Sequence, residues 1–319
     1  MFNKKDSQKL VNKIKEYKNI IIAKHESPDW DAQGSAIGMK DIIVNNFQNK
    51  NVFIVGHIVG DETKIFEDEK LLNDEIIKSS LLITVDTANL ERLDFQNKNE
   101  VKEIFKVDHH IKVDNYGNEE LVDESAIACT QIIALWAKEN SFTLTKQGAE
   151  GLYYGLITDS NRFMYDKTNN ETFEAAMFLI SFGIEIKKIY DSLYLKNLKS
   201  VKWLNKAFQK AEFVMGYPIA FIKIENADHE NLNLHEEEVK SALYTMSNIK
   251  EIAIWFIAYE SILSDKIKVS IRSRDYDVNK VAKMYNGGGH KLASGAKLNN
   301  FKEVDNLIED LKKLLDNKL

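Results

Sequence analysis

Apolar positions along the chain follow two periods. Within residues 1–17, Leu10, Val11, Ile14 and Tyr17 recur at the spacing of one buried helix face. Residues 19–24 (NIIIAK) form a short unbroken apolar run, which predicts a buried strand. Helical spacing returns at 33–47. VFIV (52–55), LLITV (81–85) and IFKV (104–107) are further β-branched runs, and helical patterns follow at 126–138 and 146–156. Strands alternating with helices predict a mainly parallel sheet with helices on both faces. Residues 187–212 contain few breakers and read as one helical connector. After it, 219–225, 252–260 and 266–274 look like strands of a second sheet, with a helix at 278–285. Phe301, Val304, Leu307, Ile308, Leu311, Leu314 and Leu315 fall at the spacing of a core-facing terminal helix. The expected fold is α/β in two lobes: an N-terminal domain at 1–187, a connector at 188–212, and a smaller α/β domain at 213–319.

A chain of 319 residues fits two domains. Its 43 basic and 49 acidic side chains leave a net charge of −6, which argues against a long duplex-binding groove but not against a short nucleotide. The single cysteine, Cys129, excludes an internal disulfide or a cysteine-cluster zinc site. No apolar run is long enough to span a membrane, and the charged N-terminus lacks a signal core, so a cytoplasmic setting is expected. Among many lysines stand only four arginines: Arg92, Arg162, Arg272 and Arg274.

Acidic and histidine residues gather at the ends of the apolar runs. His25, Asp29 and Asp31 follow the first, Asp86 follows LLITV, and Asp108-His109-His110 follows IFKV; Asp159 lies in GLITDS. Ligands of open α/β sheets collect beyond the carboxyl ends of strands, so these clusters should converge. Carboxylates so crowded resist ionisation unless a cation holds them. Imidazole with carboxylate suits manganese, iron or zinc better than calcium, and the number of groups suits two ions.

These four clusters, in this order, closely resemble the motifs of the DHH phosphoesterase superfamily over roughly residues 1–190. The resemblance implies two manganese ions per subunit, with magnesium, cobalt or another divalent metal as alternatives. His25 and Asp29 would hold one ion; Asp31, His109 and Asp159 the other; and Asp86 would bridge them. Asp108 would orient a ligand or the backbone, and His110 would face the substrate phosphate and protonate the leaving group.

Gly287-Gly288-Gly289-His290 follows the helix expected at 278–285 and precedes Ala293-Ser294-Gly295. Such a glycine-rich loop would let backbone N–H groups approach a phosphate. In the strand IKVSIRSR, Ile267, Val269 and Ile271 alternate onto one face, and Ser270, Arg272 and Arg274 onto the other. Arginine forks suit phosphate. This region resembles the DHH-associated C-terminal domain, which implies substrate contacts from Arg272, Arg274, Gly288, Gly289, His290 and Ser294 across a cleft from the metals.

Other positions read more plainly. Cys129 reads as a small buried hydrophobe, and His57, His229 and His235 as surface or loop residues. HEEEVK (235–240) reads as a solvated helix start. Arg162 is open between a substrate contact and an ion pair, and Trp30 between packing under the site and stacking on a base.

The resemblance is closest to bifunctional enzymes that degrade RNA of about 2–5 nucleotides and dephosphorylate 3′-phosphoadenosine-5′-phosphate (pAp). A phosphodiesterase acting on cyclic di-AMP or linear pApA shares the plan. An inorganic pyrophosphatase, a longer single-strand exonuclease and a non-catalytic nucleotide sensor fit less well. The expected partner is a small nucleotide or short RNA, with neither a duplex nor a membrane; a homodimer is compatible with such an enzyme, though nothing in the sequence marks an interface.

Overall fold

The computed structural model describes residues 3–112, 114–261 and 266–317. The chain divides into two compact units, Met1–Tyr194 and Leu195–Leu319.

The first unit opens with α1 (Lys4–Glu16), β1 (Asn19–Ala23), α2 (Trp30–Asn46) and β2 (Asn51–Ile54). A small hairpin follows, β3 (His57–Ile58) with β4 (Asp61–Ile65). Then come α3 (Asp74–Lys78), β5 (Leu81–Val85), β6 (Glu103–Asp108) and β7 (Glu119–Val122). Four helices complete it: α4 (Cys129–Glu139), α5 (Lys146–Asp159), α6 (Asn170–Ile180) and α7 (Ile186–Tyr194).

Five strands form one sheet in the order β2-β1-β5-β6-β7, and every neighbouring pair is parallel. Strands β1, β5 and β6 are central, which explains their largely apolar runs. Ile20 and Ile22 enter one core layer with Ile42 and Ile133; Ile21 and Ala23 enter another with Ile77, Leu93 and Phe95. Strand order reverses between β1 and β5. Ligands gather at such a switch point.

Helices α2 and α5 press together at glycines. A Cβ on Gly34 would lie 2.1 Å from Gly151 O, and one on Gly155 would lie 2.8 Å from the Asp31 Cα. Only hydrogen fits at either position.

The second unit holds α8 (Leu198–Phe208), β8 (Glu212–Phe213), β9 (Ile219–Ile224), α9 (Glu236–Lys240), β10 (Ile254–Glu260) and β11 (Ile267–Ser273). It ends with α10 (Val278–Met284), β12 (Gly288–His290), β13 (Ala293–Leu298) and α11 (Glu303–Leu315). Its six-stranded mixed sheet runs β12-β13-β11-β10-β9-β8. The expected burial of Val304, Leu307, Ile308, Leu311 and Leu314 on α11 is present.

Three sequence expectations change here. The connector is not one helix: α7 and α8 are separated by 195–197, and the Asn197 side chain caps α8 by accepting from Ser200 N. An N-cap requires extended backbone, so the helix must restart there. The glycine-rich segment is not a loop. Gly288–His290 is an edge strand, pairing Gly288 with Gly295 and His290 with Ala293. His229, expected at the surface or in a loop, lies in a turn between two 3₁₀ segments but is buried, edge-on to Trp203 at 5.6 Å. No helix among the described residues is long and apolar enough to cross a membrane.

Candidate active site

The first metal-type motif leaves β1 and turns into α2. Asp29 caps that helix, its Oδ1 accepting from Asp31 N and Ala32 N, both at 3.0 Å. His25 is held by Nδ1 donating to Glu26 O at 2.8 Å. That bond fixes the tautomer and leaves Nε2 bare, 3.6 Å from Asp86 Oδ2 and 4.0 Å from Asp29 Oδ1.

Asp31 is fully buried and held by the start of α4. Oδ2 accepts from Cys129 N at 2.7 Å; Oδ1 accepts from Thr130 N at 2.9 Å and Thr130 Oγ1 at 2.6 Å. A carboxylate at a helix N-terminus meets unpaired N–H groups and the positive end of the dipole. Cys129 is thus the small buried residue expected of it.

Asp86 directly follows β5 with φ +49, a left-handed conformation that aspartate tolerates better than most residues. Its Oδ1 is buried and accepts no hydrogen bond, although His109 Nε2 is 3.3 Å away and His110 Nδ1 3.5 Å. A buried acceptor left unpaired is costly unless something absent from the protein chain satisfies it.

At the end of β6, Asp108 Oδ1 accepts from His109 N at 2.9 Å and His110 Nδ1 at 2.8 Å. His110 therefore carries its proton on Nδ1 and turns Nε2 outward. His109 Nε2 lies 3.7 Å from both Asp31 Oδ2 and Asp159 Oδ2. Asp159 comes from the last residue of α5.

The electrostatics follow from this crowding. Burial, then the Asp86 charge, pushes the Asp31 carboxyl well up; burial, then Asp31 and Asp86, does the same to Asp159. Burial also pushes Asp86 up, but its contacts with His109 and His25 outweigh it and hold that carboxyl at about 2. Burial lowers His109, and its Asp86 contact overcomes this and raises it.

Three triads have ligand atoms within 4.8 Å of one another: His25 with Asp29 and Asp86, Asp31 with His109 and Asp159, and Asp86 with His109 and His110. Asp86 thus lies between the sets expected for two ions. The unpaired Asp86 Oδ1, the bare His25 Nε2 and the mixed donor set all fit divalent transition metals.

A pocket of about 130 Å³ opens on these groups. It is also lined by Arg92, to which the sequence alone assigns no role. Arg92 ends a 3₁₀ turn after β5, and its carbonyl accepts from Glu26 N at 2.8 Å. Its side chain is exposed and makes no bond among the described residues. The available signal was an arginine six positions after Asp86 in a lysine-rich chain.

The two open residues also find neighbours. Trp30 stacks on Tyr154 of α5 at 4.7 Å, and the Arg162 guanidinium lies over the Tyr194 ring at 5.1 Å.

In the second unit, Arg272, Ala293 and His290 share one cross-strand row, so Arg272 and His290 lie on one face with a small residue between them. Arg274 does not join them. It lies beyond β11, and its guanidinium donates to Ile252 O at 2.8 Å and to Ser247 O and Ile249 O, both at 3.0 Å. Ser294 is buried, its hydroxyl donating to His290 O at 2.9 Å. The polar atoms of Arg274 and Ser294 thus bond to nearby carbonyls, as does the Arg272 guanidinium, which donates to Ile271 O at 2.9 Å.

Residues 19–156 match the model of the DHH family, N-terminal domain, and residues 217–317 match the DHHA1 domain. The chain is 33% identical over 309 residues to the bifunctional oligoribonuclease and PAP phosphatase NrnA of Bacillus subtilis (strain 168), covering 96% of this chain and 97% of that one. It is 31% identical to a probable enzyme of the same name from Streptococcus mutans, covering 96% and 98%. The crystal structure of an exopolyphosphatase-related protein from Bacteroides fragilis shares the fold, with a TM-score of 0.84 at 21% identity, covering 100% of this chain and 98% of that one. With near-complete coverage of such relatives, and with the acidic and histidine motifs meeting at the strand ends of a parallel sheet, the chain belongs to the DHH family.

Proposed function

We propose that this protein is a manganese-dependent enzyme that hydrolyses RNA of about 2–5 nucleotides and dephosphorylates pAp, a size class suggested by the acidic charge and short-nucleotide resemblance. Membership of the DHH family makes it a phosphoesterase. The substrate reading is supported by the names of its Bacillus and Streptococcus relatives. The observation that carries the chemistry is Asp86, whose buried Oδ1 accepts no hydrogen bond where the His25–Asp29 and Asp31–His109–Asp159 groups meet.

Two divalent ions bound there would supply a Lewis acid and an activated water at neutral pH. In this reading His25 and Asp29 would hold one ion and Asp31, His109 and Asp159 the other, with Asp86 available to both. Asp108 accepts the His110 Nδ1–H, so His110 presents Nε2 to the pocket; in its doubly protonated form it would give the Nε2 proton to the leaving oxygen and end as the neutral Nδ1–H ring. Arg92 offers its free fork to the oxygens of the phosphate. Arg272, Gly288, Gly289 and His290 contact the nucleotide.

The test is product analysis with manganese present, offering diadenylate RNA, pAp and cyclic di-AMP at equal concentration. AMP is expected from the first two. Opening of the cyclic compound at a comparable rate would overturn this assignment in favour of cyclic-dinucleotide turnover.

A further inference from the structure

Lys106 lies inside IFKV on β6 and is only 1% exposed. Burying an ammonium is costly unless its partners compensate. Here they are specific. Lys106 Nζ donates to Ala88 O at 2.9 Å, pairs with Asp108 Oδ2 at 3.1 Å, and lies 4.9 Å from the Tyr116 ring. Tyr116 in turn donates to Thr87 O at 2.8 Å and accepts from Thr84 Oγ1 at 2.9 Å.

Thr87 and Ala88 directly follow Asp86, with its left-handed backbone. Asp108 carries the bonds that orient His109 and His110. One ammonium therefore touches both ligand-bearing strand ends, through a carbonyl on one and a carboxylate on the other. A surface strand lysine would touch neither.

We infer that Lys106 is a positioning residue for the hydrolysis, locking Asp108 and the 87–88 backbone into one frame so that Asp86, His109 and His110 keep their mutual geometry. The inference rests on the phosphoesterase reading of the site. Lys106 touches no substrate; it acts through Asp108 and Ala88.

The test is a cycle of Lys106→Met and Asp108→Asn in the full chain, read by kcat, KM and manganese affinity from calorimetry. Lys106→Met should lower kcat or manganese affinity by about 10- to 100-fold, the usual cost of losing a group behind a metal ligand, with KM unchanged. In the Asp108→Asn background the same change should cost much less, because the partner it acts through is already altered.

Equal losses in both backgrounds would overturn the inference, as would a raised KM at unchanged kcat or no loss at all. Should Lys106→Met fail to fold, Lys106→Gln keeps a donor for Ala88 O without the charge, and the same cycle decides. If the wild type hydrolyses none of the nucleotides offered, the substrate reading fails. The metal-affinity arm then still decides for or against Lys106.

Discussion

Three N–H bonds hold the Arg274 guanidinium to the carbonyls of Ser247, Ile249 and Ile252, with the Trp255 ring 5.6 Å away. That side chain closes the turn before β10. Arg274→Ala should therefore destabilise the second unit by about 2 kcal/mol, the scale of lost charged hydrogen bonds. Substrate KM should stay nearly unchanged. Chemical denaturation beside steady-state kinetics checks this, and a large rise in KM without destabilisation would return Arg274 to the substrate site. Arg272, in the row with His290, is the arginine proposed above to meet the nucleotide.

Helix α5 brings Asp159 to the site while Gly155, one turn earlier, clears space for Asp31. A methyl at 155 would sit 2.6 Å from the Thr130 methyl and 2.9 Å from Asp31 Oδ1. Gly155→Ala should thus displace a ligand as well as strain the α2–α5 contact. We expect destabilisation of about 1–3 kcal/mol, the usual cost of overpacking, together with weaker metal binding. Metal titration of the folded variant checks the second part.

The same scale shows what the sequence could disclose. Strands β1, β5 and β6 were legible because both their faces are buried, so their runs are apolar but for Thr84 in β5 and Lys106 in β6. With their ends came five of the groups lining the pocket: His25, Asp29, Asp86, His109 and His110. Strands β12 and β13 were not legible, because glycine and small residues carry no strand preference and only pairing made them one hairpin. Lys106 was hidden for a related reason: a lysine in a strand reads as solvated until its neighbours are known. Arg92 needed the turn after β5 to bring it to the pocket, and the commitment of Arg274 to carbonyls has no local sequence signal.

Each unit has its own cores, and the proposed metals belong only to the first. Metal should therefore stabilise that unit by mass action and leave the second unmoved. With metal removed, the raised Asp31 and Asp159 carboxyls keep protons that the unfolded chain has lost. Stability of the metal-free first unit should then fall as pH rises from the ordinary carboxylate range through their elevated pKa values. Adding manganese should reverse that loss and release protons. Scanning calorimetry with chelator and with manganese, at several pH values, reads both effects. A metal-free unit that grows more stable over that range would contradict the crowded-carboxylate picture.

The two ligand triads are not equally prepared. Asp31 is clamped by three bonds from α4, whereas Asp29 is largely exposed and anchored by one oxygen alone. A prepared site fills at a lower free concentration than one whose ligand must still be ordered. Loading would then be stepwise, with the Asp31 position filled first and a half-equipped intermediate abundant when the cation is scarce. Turnover would track supply of the second ion, so the enzyme would behave as a gauge of cellular metal as well as a consumer of short nucleotides.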